Sequence, residues 1–136
     1  MRRLLVLAMA AVAFAAEPAA RVLEHHGKWE SGYGEHFYNI VGQVKNTSAR
    51  PLTYIKLRID ALDDHQKVVA STETYNESAS ALAVADLDAD AKAQVRAHLK
   101  PVAPGAEEAF RAGFLKDETP SFADYRVTVI ETPAAP

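Results

Sequence analysis

In NIVGQVKNTSARPLTYIKLRIDALDDHQKVV, residues 39–69, two segments of alternating polarity flank a turn and a third segment begins. The apolar residues of the central segment share one parity: Ile55, Leu57, Ile59 and Ala61. Its polar and aromatic residues share the other: Tyr54, Lys56, Arg58 and Asp60. A period of two is typical of a β-strand that buries one face. The pattern predicts a sheet whose outer, solvated face carries Tyr54, Lys56 and Arg58 as a candidate partner-binding patch.

The same alternation recurs along most of the chain, separated by turn residues. Turns are indicated at residues 46–51 and 63–66, where Asn, Ser and Asp bond to nearby backbone and Pro fixes its own φ. Further alternating segments lie at residues 38–45, 67–75, 93–100, 110–114 and 125–129, and a first strand is expected near residues 21–30. Short strands at this spacing predict an all-β fold, an antiparallel immunoglobulin-like sandwich of about seven strands over residues 21–131.

Three segments fall outside this alternating pattern. Residues 78–91, SASALAVADLDADA, are rich in Ala and Asp and predict a longer connection that is irregular or partly helical. Residues 16–20 are expected to form a mobile lead and residues 132–136 a frayed tail.

The first residues, MRRLLVLAMAAVAFAA, have the pattern of a secretory signal peptide. Two arginines precede an apolar run, and Ala13 and Ala15 occupy the small-residue positions of a cleavage site. The apolar run is shorter than the about 20 residues that cross a bilayer. We therefore expect residues 1–15 to be removed and the mature protein to be periplasmic or secreted, without stable membrane insertion. Retention of the segment as an N-terminal anchor is the alternative.

Charge and cysteine content exclude several classes of function. The chain has 15 Lys and Arg against 18 Asp and Glu, and loss of residues 1–15 would remove Arg2 and Arg3 but no acid. An acidic chain without clustered basic residues argues against a nucleic-acid partner. The absence of cysteine excludes disulfides, thiolate nucleophiles, cysteine-ligated zinc, c-type haem attachment and a lipoprotein anchor.

Residues 39–130 resemble the FxLYD domain, a small immunoglobulin-like sandwich of exported or membrane-tethered bacterial proteins. The matching residues are a glycine, an Asn-Thr pair, the final Asp of the name motif and a Pro-Gly before an aromatic strand: Gly42, Asn46, Thr47, Asp63, Pro104, Gly105 and Phe110. The chain departs from the family pattern where Ile59, Ala61 and Leu62 replace the Phe, Leu and Tyr, and where Gln66 replaces a turn glycine. The resemblance implies a sandwich fold and an envelope setting, and it supplies no active site.

The candidate metal ligands are three histidines near the N-terminus: His25, His26 and His36. A hairpin formed by GKWESGYGEH, residues 27–36, would bring His36 back toward the first two. Neutral imidazoles bind Zn²⁺ or Cu²⁺. No carboxylate or thiolate spacing completes such a site, so metal binding is the lesser alternative and we expect no cofactor.

No motif of catalysis is recognisable in the chain. It contains no G-x-S-x-G nucleophile motif and no glycine-rich phosphate loop. The acidic array at residues 86–90 begins like a Ca²⁺ loop, but Ala91 and Ala97 stand where an EF-hand needs Gly and Glu. We therefore expect a non-catalytic interaction or accessory module of the bacterial envelope, with an unidentified protein partner. The alternative is an envelope protein that binds a metal ion or a small polar molecule.

Two aromatic residues between glycines are the candidate contacts for such a partner. Trp29 and Tyr33 lie in residues 27–36, which are predicted to form a loop. Aromatic side chains with a polar tip are enriched at protein interfaces. The competing expectation is that Trp29 is buried between the sheets, as in many immunoglobulin-like domains.

Overall fold

The computed structural model describes residues 18–84 and 86–136, so the proposed signal peptide lies outside the described residues. Six strands form the body of this part of the chain: β1 (Ala20–Gly32), β2 (Glu35–Asn46), β3 (Lys56–Leu62), β4 (Val68–Tyr75), β5 (Glu107–Leu115) and β6 (Asp124–Glu131). Helix α1 spans Ala89–Ala97, and short 3₁₀ helices span Glu77–Ala83 and Lys116–Glu118. No helix of the described residues is long and apolar enough to cross a membrane.

The strands form two three-stranded sheets, ordered β1-β2-β5 and β4-β3-β6, with antiparallel neighbours throughout. The chain crosses from one sheet to the other after β2, after β4 and again after β5. This arrangement confirms the prediction of a mostly antiparallel all-β fold. The expected count of about seven strands is wrong for the described residues, because the segment predicted as the fifth strand folds as α1.

The core lies between the two sheets, where apolar side chains from both pack together. Ile40 and Phe110 come from the first sheet, and Leu57 and Ile59 come from the second, each with at most 2% of its surface exposed. The apolar parity of β3 is therefore the buried one, as predicted. Full burial of each such side chain stabilises the fold by about 1.5–3 kcal/mol.

Gly42 lies on the inner face of β2, where the ring of Phe110 crosses directly over it. A Cβ atom added at Gly42 would lie 2.6 Å from Phe110 Cζ and 2.7 Å from His25 Cβ. No real side chain tolerates contacts this short without displacement of its neighbours. Two residues that carry the FxLYD resemblance, Gly42 and Phe110, are thus a packing pair.

Asn46 and Asp63, which also carry the resemblance, hold turns together. The fully buried Asn46 amide donates to the carbonyl oxygens of Arg50 and Val102 at 2.8 and 2.9 Å. Gly105 N donates to Asn46 O at 2.8 Å, which joins the two matching regions. Side-chain bonds of this kind replace the backbone ladder where the chain leaves a strand. Asp63 Oδ1 accepts from two backbone N–H groups of the β3–β4 turn, those of His65 and Lys67.

The connection between β4 and β5 forms a second, smaller cluster against Tyr54. Ala79 and Leu82 of the first 3₁₀ helix are buried there, and Val95 and Leu99 pack beside them. The prediction of a strand at residues 93–100 is wrong, since most of this segment belongs to α1. The prediction that residues 78–91 are partly helical agrees with the structure.

The described chain ends are bonded to the fold. Ala20 belongs to β1 with 1% of its surface exposed, and Thr47 N donates to Ala19 O at 3.0 Å. Thr53 N donates to Pro133 O at 2.8 Å, and Ala135 N donates to Pro51 O at 2.9 Å. These bonds tie residues 19, 133 and 135 to the fold, within the segments that were expected to form a mobile lead and a frayed tail.

Candidate functional site

Tyr54 was expected on an exposed partner-binding face, and the structure corrects that expectation. Only 4% of its surface is exposed. Its hydroxyl donates to Glu131 Oε2 at 3.2 Å and accepts from Arg96 Nη2 at 3.3 Å. Burial raises the pKa of Tyr54, with Glu131 adding to the effect and Arg96 opposing it. Because the 3₁₀ helix Glu77–Ala83 and α1 cover it, Tyr54 is not available to a partner.

Lys56 and Arg58 lie on the outer face of β3, but acidic side chains of the same sheet neutralise both. Lys56 Nζ lies 3.0 Å from Glu73 Oε2 and 3.7 Å from Glu131 Oε2. The hydrogen bond to Glu73 is the main cause of a raised pKa for Lys56, which burial partly offsets. Arg58 Nε lies 3.4 Å from Asp60 Oδ1. This face is a network of internal ion pairs and presents little unmatched charge to a partner.

Asp60 is a buried carboxylate that alternation had assigned to the solvated face. With 2% of its surface exposed, it accepts a hydrogen bond from Ser71 Oγ at 2.6 Å and one from Arg126 Nη2 at 3.1 Å. The Ser71 bond is the main reason that the pKa of Asp60 is lowered, and Arg126 and Arg58 act in the same direction against burial. In the sequence, Asp60 is an acid on the same parity as Lys56 and Arg58, and the period alone does not distinguish a buried acid at that position from a solvated one.

The three candidate histidines are not brought together. In the β1–β2 register His25 lies opposite Gly42, His26 opposite Val41, and His36 opposite Ser31 near the hairpin tip. Adjacent residues of a strand point to opposite faces, so His25 and His26 are also separated from each other. The expectation that the hairpin returns His36 to them is wrong. Within the described residues no three His, Asp or Glu side chains are grouped as a metal site requires.

An aromatic surface lies along the side of the molecule where β1 meets β6, and it consists of four rings: Trp29, Tyr38, Phe122 and Tyr125. The Trp29 ring centroid is 5.2 Å from that of Tyr38 and 5.6 Å from that of Phe122. Tyr125 extends the surface, with its hydroxyl 2.7 Å from His25 Nδ1. Inclined rings at these separations attract one another in addition to burying apolar area.

Trp29 is the exposed member of this aromatic surface. Half of its surface, 50%, remains accessible, whereas Tyr38 beneath it is partly buried. The Tyr38 ring lies across Gly27, where an added Cβ would be 2.5 Å from Cε1. Burial raises the pKa of Tyr38, and the Asp124 carboxylate raises it further. Trp29 therefore rests on a fixed platform, and the expectation that it is a core residue between the sheets is wrong.

Residues 27–36 were predicted to form a loop, but in the structure they form the end of a β-hairpin. Gly32 pairs with Glu35, and the turn between them consists of Tyr33 and Gly34, with φ of 51° and 77°. Positive φ at both central residues is the requirement of a tight hairpin turn that follows the twist of its strands. Tyr33 is fully exposed at this tip, and Trp29 lies on the strand behind it.

A groove of about 670 Å³ lies on the outer face of the β1-β2-β5 sheet, beside the start of the 3₁₀ helix. Its polar lining includes Glu24, His26, Gln43, Glu77 and Arg111. No hydrogen bond or ion pair within residues 18–84 and 86–136 engages the side chains of His26, Gln43 or Arg111. Sequence reasoning missed this groove because its residues come from four strands and a helix that are distant along the chain.

Comparison with known proteins supplies no relative for this chain. No family model matches it, and no curated protein or solved structure matches it either.

Proposed function

We propose that this protein is a non-catalytic, exported β-sandwich that acts as an interaction or accessory module in the bacterial envelope. The observation that carries the proposal is Trp29, a half-exposed tryptophan held on the partly buried rings of Tyr38 and Phe122. Rigid aromatic side chains with accessible area are favoured anchors at protein interfaces. The aromatic surface is thus the docking surface.

Topology and the matching residues support the finer fold proposed with this function, an immunoglobulin-like sandwich of FxLYD type. The orders β1-β2-β5 and β4-β3-β6 follow the way an immunoglobulin-like chain alternates between its two sheets. Gly42 and Phe110 pack on each other, and Asn46 bonds to Gly105. The signal-peptide pattern of residues 1–15 supports the periplasmic or secreted location.

Replacement of Trp29 by alanine tests the docking role. We expect Trp29→Ala to abolish capture of a protein from envelope extract, with a loss of stability well below the 3–5 kcal/mol of a buried tryptophan, because half of the ring is already in water. Capture is measured by mass spectrometry of the proteins that bind to the immobilised chain. Stability is measured by urea unfolding.

The matched control is Val68→Ala in β4, since Val68 is also an exposed apolar residue at 49% but lies in the other sheet. Capture should survive this change. Equal capture by the Trp29→Ala protein and the parent would contradict the docking role, and a collapse of its unfolding transition would make Trp29 a structural residue.

A second candidate function, binding of a small polar molecule, is favoured by the groove on the β1-β2-β5 sheet. His26 and Arg111 provide donors and Glu24 and Glu77 provide acceptors around the same space. Calorimetric titration of the parent and of Arg111→Ala with amino acids and dicarboxylates tests it. Heats that are absent for the parent, or unchanged in Arg111→Ala, would exclude the groove as the site.

A further inference from the structure

The edge of β1 that faces away from β2 pairs with no strand in the part of the chain that the structure describes. A free edge presents backbone donors and acceptors that another strand can extend. The register shift in β1 lies between Val22 and His25, so pairing is regular from His25 to Gly32. This regular half of the edge contains Trp29.

Side chains of this half divide between the two faces of the sheet. Trp29 lies on the inner face, against Tyr38, and Lys28 and Glu30 lie on the outer face. The Lys28 side chain is 69% exposed, and its Nζ lies 3.5 Å from Glu30 Oε1. The edge therefore carries one cation and one anion, placed symmetrically about an exposed tryptophan.

We propose that two copies of the chain associate by antiparallel pairing of β1 with β1 about a twofold axis at Trp29. This register sets Lys28 opposite the partner's Glu30, and Glu30 opposite the partner's Lys28. Trp29 faces the partner's Trp29, and directly opposed aromatic and opposite-charge pairs both stabilise antiparallel strands. The inference rests on the proposed docking role of the aromatic surface and names a second copy as its occupant.

Neighbouring registers are disfavoured by the same charges. An axis at Lys28 would oppose two lysines, and an axis at Glu30 would oppose two glutamates. An axis at Gly27 would place Glu30 against the partner's Glu24, next to the register shift. Like charges directly opposite destabilise a strand pair. An axis between two residues shifts the register by one residue, so that inner-face residues of one copy would lie opposite outer-face residues of the other. Charge complementarity thus selects the axis at Trp29.

Pairing in this register would join the two copies into one continuous sheet, ordered β5-β2-β1-β1-β2-β5. The dimer is isologous, since the same residues of each copy contact each other. It would also carry the fully exposed Tyr33 at the hairpin tip toward the partner's His25. The half-exposed tryptophan and the exposed tip would then both have a partner.

Charge reversal with mixing tests the register. Sedimentation velocity of the purified parent should show a concentration-dependent monomer–dimer equilibrium. Lys28→Glu and Glu30→Lys, each alone, place like charges across the axis and should weaken dimerisation at least ten-fold. An equimolar mixture of the two variants, and the double variant Lys28→Glu/Glu30→Lys, should dimerise again. Lys67→Glu, in the exposed β3–β4 turn, is the control with the same change of charge.

A parent that stays monomeric at all concentrations overturns the dimer, and so does a dimer unaffected by either reversal or not restored by mixing. Circular dichroism of each variant establishes that it is folded, and Lys28→Gln serves if Lys28→Glu is not. A monomeric parent that still captures another protein through Trp29 would overturn the dimer but leave the docking role intact. Absence of both dimer and capture would overturn both.

Discussion

Buried polar side chains decide much of the geometry at the scale of single residues. Asn46, Asp60, Thr74 and Asn76 are buried, and within the described residues no buried side-chain nitrogen or oxygen lacks a partner. Alternation predicted the face of the sheet on which Asp60 lies. It did not predict that the side chain is buried, because burial depends on the neighbouring residues that β4 and β6 supply. Ser71 and Arg126 are those neighbours, and pairing between strands is not readable from the period of one strand.

Replacement of Asp60 by asparagine should lower the free energy of unfolding by about 1–3 kcal/mol at pH 7, because charge-assisted bonds to Ser71 and Arg126 are weakened inside the sheet. The folded-state pKa of Asp60 is lowered, so its stabilisation is present above the unfolded pKa of about 3.9 and is lost as the pH falls through the folded value. The difference between parent and Asp60→Asn should therefore shrink below about pH 4.

Urea unfolding of both proteins at pH 7 and at several values below pH 4 measures this effect. Arg126→Gln is the companion variant and should cost less, at most about 1 kcal/mol, since its side chain is 54% exposed. A difference between parent and Asp60→Asn that does not vary with pH would contradict the role of the ionised carboxylate.

Gly42→Ala tests the close approach of Phe110 to β2. The added Cβ would meet the ring at 2.6 Å, so we expect a loss of about 1–3 kcal/mol as the ring or the strand shifts. Gly32→Ala, in β1, is the matched control, because the nearest atom to its added Cβ is Phe37 Cε1 at 3.8 Å. Denaturant midpoints of the two variants should differ accordingly, and equal midpoints would mean that Phe110 moves aside freely.

At the scale of elements, alternation predicted five of the strands and misassigned α1. Residues 93–99 alternate between Ala, Val or Leu and polar residues, but the same letters place Val95 and Leu99 four residues apart, on one side of a helix. Alanine adds helix propensity, and Asp88 caps the N-terminus by accepting from Ala91 N at 2.8 Å. The contact of Val95 and Leu99 with the Tyr54 cluster favours the helix over the strand. Because this contact is tertiary, the sequence pattern of the segment alone does not reveal it.

Asp88→Ala should loosen α1 without unfolding the sheets. The helix has nine residues and no fully buried side chain, so its cap adds to the limited packing of Val95, and loss of the cap costs about 0.5–2 kcal/mol. Hydrogen exchange read by mass spectrometry should be faster at residues 89–97 and unchanged in β2 and β3. Asp64→Ala, at an exposed turn position, should leave exchange in α1 as it is. Unaltered exchange of α1 in Asp88→Ala would show that packing alone holds it.

At the scale of the whole molecule, the two three-stranded sheets are joined differently along their two sides. On one side β4 bonds to β5, where Thr74 Oγ1 donates to Arg111 O at 2.6 Å and Asn76 bridges to Phe110. On the other side β1 meets β6 through the aromatic surface. Trp29 and Tyr33 were predicted as contacts from composition, but Phe122 and Tyr125 were missed. Only the crossing between the sheets brings Phe122 beside Trp29 and Tyr125 beside Tyr38.

The bonded chain ends have a consequence for connectivity. Ala19 is bonded to Thr47 and Ala135 to Pro51, and four residues of chain between those anchors span at most about 14 Å. The hairpin tip at Tyr33 lies at the opposite end of β1, roughly 40 Å away for a strand of 13 residues.

A circular permutant should therefore fold. A linker of about eight Gly and Ser residues can join residue 135 to residue 18, and new termini can be cut between Tyr33 and Gly34, where the turn is fully exposed. We expect its melting temperature to lie within a few degrees of the parent value, and failure to fold would show that the β1–β2 turn must form first. A permutant that folds would show that the packing of the six strands determines the fold, whichever residue comes first in the chain.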